Sequence, residues 1–488
     1  MYTGNLFSYL RSMGVRAPTF SKSSDDTSGG LLVVKAFSGG FAGSFFPSIE
    51  EYAVSAEPDK VLWALRAIME AAGSKFGVIL VSDERQDVSA TLKEKLKGTF
   101  KDKNSITVLS VDTGAGLGNA VAEWVLKVRA YAGNTASAAD NPLLVYSSME
   151  LLRAYDALTG EKPVTRTLVY CGGEVASPGF YDVPLGTRYS NVVEACSSLL
   201  SAGDYAVLTS NGYHDNLKDT IETDISVPVT KDTEMLIVLP LDHTLIKKAE
   251  TSLTTMLKRV SSVCGQCRLC TDMCPAYLNG GGIYPHLIVR DIAEGKAETS
   301  PWIAGADLCI SCGVCIAVCP AGISPMQINE FIKGIIHESV ADGRPTNSKP
   351  VVEMAVTTRA GGAAVTANTG PFRYAFSRKL PAKKLAERFG LFGYAARYVS
   401  DKTALAGAKE LPYVYGAMHT VNGISMAEIR LSQAGGNARA VVKTGDMVAA
   451  GDLIAEGGGN GESSLHTGIA GTVSVVDKEQ IIIVATGE

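Results

Sequence analysis

CGQCRLCTDMCP (residues 264–275) and CISCGVCIAVCP (residues 309–320) carry the spacing C-x2-C-x2-C-x3-C-P twice in close succession. Eight of the 10 cysteines of the chain lie in these two motifs. Three thiolates spaced in this way wrap one corner of an iron–sulfur cubane, and the fourth points away to ligate the other cluster of a pair. The spacing therefore predicts two [4Fe–4S] clusters, one on Cys264, Cys267, Cys270 and Cys319, the other on Cys309, Cys312, Cys315 and Cys274. Pro275 and Pro320 are expected to end each loop and turn the chain away. Gly265 and Gly313 are expected to bring backbone N–H groups near the sulfurs, which raises a cluster's potential. Zinc is the competing occupant of paired C-x2-C motifs. It has no use for two complete quartets that each end in Cys-Pro.

Between Cys274 and Cys309 lie 34 residues, including a helical run over Tyr284–Gly295. This is longer than the turn of a small ferredoxin and predicts a helical ferredoxin-like unit over residues 243–345. A length of 488 residues calls for several domains. With 46% hydrophobic and 19% charged residues, the composition is that of ordinary globular material. A net charge of −5 gives no basic face for nucleic acid. The N-terminus shows no charged-then-apolar signal pattern, and no apolar run reaches the ~18–20 residues of a membrane span. The expectation is a cytoplasmic protein, in a microcompartment lumen or beside a membrane complex as variants of that reading. In such a compartment cysteines serve metals rather than disulfides, so Cys171 and Cys196 are expected as free, buried side chains.

Residues 1–160 alternate strand-like runs (Leu31–Phe37, Phe76–Ser82, Ser105–Val111, Pro142–Ser147) with helical patterns (Asp59–Ala72, Asn119–Tyr131), the signature of a parallel α/β sheet. Gly133–Asn141 is expected as a loop. Residues 161–242 hold the strands Thr167–Cys171, Tyr205–Ser210 and Met235–Leu241 between Pro/Gly turns and predict a small mixed β domain. Residues 346–410 are expected as a linker with a basic helix near Lys383–Tyr394, and the Gly-rich residues 411–488 as a small all-β module. The fold class is thus multidomain α+β.

Smaller features have plain readings. The glycine-rich turn Gly114–Asn119 sits at a strand–helix junction and reads as a tight turn rather than a dinucleotide loop. The histidines His214, His243, His286, His337, His419 and His466 show no metal-ligand spacing. Lys379, Lys383, Lys384 and Arg388 form a basic helical face that suits an acidic partner such as a flavodoxin or ferredoxin.

With these motifs in hand, the chain resembles the RnfC-like family of the Rnf ferredoxin:NAD oxidoreductase, which also holds the cobalamin reductase PduS. LVYCGGEVASPGFYDVPLGT (Leu168–Thr187) is similar to the start of that family's soluble-ligand-binding β-grasp (SLBB) domain. SRKLPAKKLAERFGLFGY (Ser377–Tyr394) is similar to its basic segment. VVKTGDMVAAGDLIAE (Val441–Glu456) and LHTGIAGTV (Leu465–Val473) resemble a biotinyl/lipoyl-type barrel-sandwich hybrid without the carrier lysine, placed last as in the PduS-type order. The resemblance implies an N-terminal α/β domain that binds FMN and NADH. The family's glycine loop for FMN phosphate is missing at MGVRAPTF (Met13–Phe20), and KAFSGGFAG (Lys35–Gly43) stands where its N-G-A-E-C-E-P segment belongs. A different alignment gives SGGFAGSFFP (Ser38–Pro47) the loop's role, with Gly39, Gly40 and Gly43 lining a phosphate pocket. The degenerate site is the favoured reading, with FMN absent.

The expected function is therefore electron transfer through two [4Fe–4S] clusters between protein partners (flavoprotein, ferredoxin or reductase subunits) in a hetero-oligomeric complex. No catalytic residue is assigned, and an electron-transfer subunit is preferred to a self-sufficient NADH dehydrogenase. An FMN-dependent NADH dehydrogenase or cobalamin reductase is the first rival, and a scaffold with vestigial clusters the second.

Overall fold

The computed structural model describes residues 6–16, 19–20, 31–38, 43, 45–111 apart from 75, 84 and 100–105, 143–341 apart from 202, 211–219, 279–281 and 298, 380–396, and 417–486 apart from 433–437 and 458–462. Within these residues the N-terminal unit is a five-stranded sheet, ordered β1-β5-β2-β3-β4. Its strands are β1 (Thr19–Phe20), β2 (Leu31–Ala36), β3 (Gly77–Ser82), β4 (Ile106–Val111) and β5 (Leu143–Ser147). β2 to β5 run parallel, and β1 is an antiparallel edge. Every position of β2 and β3 is buried, as covering on both faces requires. Leu32 and Val34 pack with Val61, Leu65 and Ile68 of the helix Pro58–Ala71, while Leu31 and Val33 pack with Val78 and Leu80 on the other face. β2 to β5 and the helix Pro58–Ala71 fall within a residue or two of their predicted positions, whereas β1 was not predicted. The predicted helix Asn119–Tyr131, the turn Gly114–Asn119 and the loop Gly133–Asn141 lie outside the described residues.

A six-stranded sheet follows, in the order β11-β7-β6-β10-β8-β9. It is built from β6 (Arg166–Gly173), β7 (Gly179–Pro184), β8 (Tyr205–Ser210), β9 (Ile221–Glu222), β10 (Met235–Pro240) and β11 (Ala417–Thr420). Side chains on a strand alternate between faces, and here both faces are dry. Leu168, Tyr170, Met235 and Ile237 point into a core shared with the cysteine region, whereas Val169, Cys171, Leu236 and Val238 point into a core shared with the C-terminal strands. β11 corrects the boundary expected at residue 411: it pairs parallel with β7 and belongs to this sheet.

Cys171 on β6 and Cys196, the cap of the helix Tyr189–Ala195, are fully buried with Cα atoms 6.8 Å apart. They form a disulfide, which corrects the expectation of free thiols. Strand and helix share one apolar layer, so residues 25 apart in sequence meet within bonding reach.

The C-terminal strands form a four-stranded sheet, β12-β18-β17-β14, facing a three-stranded one, β13-β15-β16. The strands are β12 (Met426–Arg430), β13 (Arg439–Ala440), β14 (Met447–Val448), β15 (Leu453–Glu456), β16 (Leu465–His466), β17 (Gly471–Val476) and β18 (Gln480–Ala485). The described residues of 244–341 are mainly helical, and no helix among the described residues is long and apolar enough to cross a membrane.

Lys231, 4% exposed, ties three of these units together. Its ammonium donates to the Gly14 carbonyl at 2.8 Å, the Ser463 hydroxyl at 2.8 Å and the Ser464 carbonyl at 2.9 Å. Glu150, paired with Arg153, lends negative charge nearby, and Arg16 pairs with Asp232. Burial nevertheless pushes Lys231 down to about 7. Lys231→Met leaves buried acceptors without a donor and is expected to cost about 2–3 kcal/mol, read as a lower thermal midpoint of the intact chain. Next to this junction, burial and the Lys231 charge hold His466 down at about 4. The unfolded chain takes up a proton near the ordinary 6.5 while the folded chain does not. The contribution of His466 is thus complete above about 6.5 and lost as pH falls to about 4. His466→Asn is expected to flatten that part of the stability–pH curve in denaturant titrations.

Candidate metal centre

The two cysteine loops have the same backbone. In the first, Gln266 and Arg268 flank Cys267 with φ of 51° and 65°. In the second, Ser311 and Gly313 flank Cys312 with φ of 53° and 76°. Left-handed residues on both sides of a cysteine are the kind of backbone that builds anion-binding nests at Fe–S sites. The left-handed positions at Gln266, Arg268 and Ser311 were not visible in the sequence, because they carry ordinary side chains. Gly313 adopts a left-handed φ but its N–H goes to the Met326 sulfur rather than to a cysteine, and Gly265 does not adopt positive φ. Pro275 opens the short helix Pro275–Leu278 immediately after Cys274, where its missing N–H costs nothing.

Helices bring the ends of the motifs together crosswise. Cys264 closes the helix Leu253–Val263, and Cys319 closes Val314–Val318. Cys264, Cys267, Cys270 and Cys319 line a cavity of about 300 Å³, with His286 and Gln266 also on its wall. Cys274, Cys309, Cys312 and Cys315 line a second, much tighter pocket of about 10 Å³, together with Met326. Cys270 feels the charges of Cys319, Cys267 and Cys264, while Cys312 feels those of Cys274 and Cys309.

The two pockets differ in depth. Cys267 is exposed, whereas Cys274, Cys309 and Cys315 are buried in the core beneath the six-stranded sheet. Burial pushes the Cys270 and Cys309 thiols up to about 12 and raises Cys274, Cys312 and Cys315 as well. Without a cation these thiols stay neutral, so loading iron displaces protons. Backbone N–H groups of Ala276 and Tyr277 donate to Cys274, that of Ser311 to Cys309 and that of Val314 to Cys312. The Gln266 amide donates to the Cys264 sulfur at 3.3 Å, and the Gly313 N–H to the Met326 sulfur at 3.1 Å. Lys333 holds the Cys309 carbonyl at 2.9 Å.

The carboxyl edge of the parallel sheet is the other place where the sequence put a ligand. β2 is the switch point, since the chain runs from it to β3 on one side and returns as β5 on the other. Gly39 and Gly40 lie outside the described residues, and a Cβ at Gly43 would come within 3.2 Å of Ser38. The chain's own carboxylates occupy this edge. Glu50 accepts from the Ser148 hydroxyl at 2.7 Å and the Met149 N–H at 2.9 Å, filling the N-terminus of the helix Ser148–Gly160. Glu51 pairs with buried Arg85 at 3.1 Å, and Ser48 caps the helix Ile49–Ala56. At this edge the N–H of Met149 and the Arg85 guanidinium are thus paired with the chain's own carboxylates.

Of the expected basic face, Lys379 is outside the described residues. Lys383 lies over the Phe392 ring and Lys384 pairs with Glu387. A larger cavity, about 780 Å³, lies between the N-terminal, six-stranded and C-terminal units and is lined by none of the predicted site residues.

Comparisons with known proteins place the chain among iron–sulfur proteins. Residues 263–324 match the family model of a 4Fe–4S dicluster domain. The chain is 28% identical to the cobalamin reductase PduS of Citrobacter freundii over 400 residues, spanning 78% of this chain and 80% of that protein. Over 349 residues it is 30% identical to PduS of Salmonella typhimurium, spanning 70% and 67%. The chain belongs to the PduS family. A probable glycolate oxidase iron–sulfur subunit of Bacillus subtilis shares 29% identity over 83 residues, 16% of this chain and 19% of that protein. Among solved structures, an air-oxidized NAD+-reducing [NiFe]-hydrogenase aligns with a TM-score of 0.40 at 14% identity, over 67% of this chain and 62% of that one. PduS kinship and the dicluster domain make this an iron–sulfur protein of electron transport.

Gly313 sits where a branched side chain is strained, so Gly313→Val is expected to cost at least about 1–2 kcal/mol. Thermal unfolding of the iron-free chain measures this without any contribution from a bound group.

Proposed function

We propose that the chain holds two [4Fe–4S] clusters and relays single electrons between protein partners. Cys264, Cys267, Cys270 and Cys319 would hold one, and Cys309, Cys312, Cys315 and Cys274 the other. The observation that carries the reading is the crosswise gathering of the two quartets around separate pockets. Two all-cysteine quartets that exchange their last member suit a pair of cubanes better than two zinc ions. When bound, the clusters supply one-electron chemistry. The protein contributes thiolates, donors to the sulfurs and a dry core around the second quartet.

In this reading residues 161–242 with β11 serve as an SLBB-type β-grasp domain and the C-terminal strands as a barrel-sandwich hybrid. The N-terminal unit keeps its fold for assembly without FMN, a view supported by Glu50 and Glu51 at the sheet edge. The chain would then be one member of a cytoplasmic redox complex. A second reading, a flavin-dependent reductase acting on cobalamin, is favoured by the kinship with proteins named cobalamin reductase.

Anaerobically isolated protein is expected to contain about eight iron and eight sulfide per chain, with little flavin. Cys267→Ser and Cys312→Ser are each expected to lower iron by about half, with EPR of the reduced protein reporting the remaining cluster. About two zinc atoms and negligible iron would overturn the reading. Stoichiometric FMN with NADH bleaching of the cluster absorbance would establish the second one.

A further inference from the structure

The first cysteine loop is unusually bare. Ser261, Ser262, Val263, Gly265, Cys267 and Leu269 are all exposed. Two of them are apolar groups that a folded chain ordinarily hides, Val263 at 53% and Leu269 at 41% exposure. Val263 lines the cavity of the first quartet, as do Cys267 and Arg268, and Leu269 follows Arg268 in sequence. Burial of the second quartet leaves the mouth of this cavity as the short way from the cysteines to solvent.

Cations outnumber acids around the mouth, with Lys258, Arg259 and Arg268 set against Glu250 and Asp272. The chain carries a net −5, yet residues 251–271 contain Lys258, Arg259 and Arg268 and no acid. Arg259 and Val263 lie four apart on the helix Leu253–Val263 and share a face. Arg268 is 53% exposed and reaches Asp272 only at 3.7 Å. Arg268 lines the cavity with Cys267. Lys248 is close enough to Cys319 for the two charges to interact. The acids nearby are engaged: Asp291 is buried and bonded to Ser300 and Arg290.

We propose that this face, apolar at Val263 and Leu269 and cationic at Arg259 and Arg268, seats a small acidic redox protein over Cys267. The inference rests on the proposed cluster-bearing role of the first quartet. An apolar centre ringed by cations matches a partner whose acidic rim surrounds an exposed redox group. The seat is distinct from the basic helix Ala382–Phe389, where Lys383 and Lys384 already have contacts.

Flavodoxin, an acidic one-electron carrier, serves as the probe, and calorimetric titration of the full iron-loaded chain as the readout. Binding is expected to weaken about tenfold between low and physiological salt. Arg259→Glu with Arg268→Glu is expected to weaken it at least about tenfold, and Leu269→Ser severalfold, with iron content unchanged. A basic carrier such as cytochrome c is expected not to bind. Iron-loaded chain that fails to bind flavodoxin, or binds it equally well after the double charge reversal, overturns the docking proposal. So does loss of binding in Lys383→Glu with Lys384→Glu while the Arg259/Arg268 variant binds normally. Iron-free wild-type chain from anaerobic isolation points instead to failure of the cluster reading.

Discussion

The exchange of Cys274 and Cys319 between the two motifs is the constraint on which the centre depends. Each residue ends its own motif and lines the pocket of the other. Neither pocket has four sulfurs until both loops are folded and docked. The helices between them, including Pro285–Ala293, therefore set the site as much as the cysteines do. The core under the second quartet is continuous with Tyr170, Phe180 and Ile237 of the six-stranded sheet, which makes that sheet a floor for the centre.

That floor is possible because β6 and β10 are apolar on both faces. One face receives the cysteine region and the other receives the C-terminal strands, so the sheet is the middle layer of the molecule. Burying both faces is strongly favourable, at roughly 25 cal/mol per Å² of apolar surface. It also leaves little room for polar groups at the joints. Lys231 is tolerated there because three oxygens from two other units meet its ammonium.

In the N-terminal unit the carboxyl edge of the parallel sheet carries internal ion pairs. The parallel sheet and its helices are retained, with strand order and switch point intact. At the carboxyl edge, Glu50 accepts from Ser148 and the Met149 N–H, and Glu51 pairs with Arg85. Two buried carboxylates are costly unless paired, and Arg85, Ser148 and the Met149 N–H supply the pairing. The same carboxylates help fix the entries to the helices Ile49–Ala56 and Ser148–Gly160.

The sequence alone determined the cysteine spacing, the family and the positions of the long central strands of the first two sheets, because ligand spacing and hydrophobic period are local properties of the chain. It could not locate the left-handed residues Gln266, Arg268 and Ser311, whose strain is sustained only by the folded loop. It also misread Cys171 and Cys196, which meet because a strand and a helix 25 residues apart share a layer. The assignment of β11 to the middle sheet, the different depths of the two pockets and the carboxylates at the sheet edge were likewise decided by tertiary structure. Each depends on which surfaces meet in space, and no local pattern along the chain encodes that.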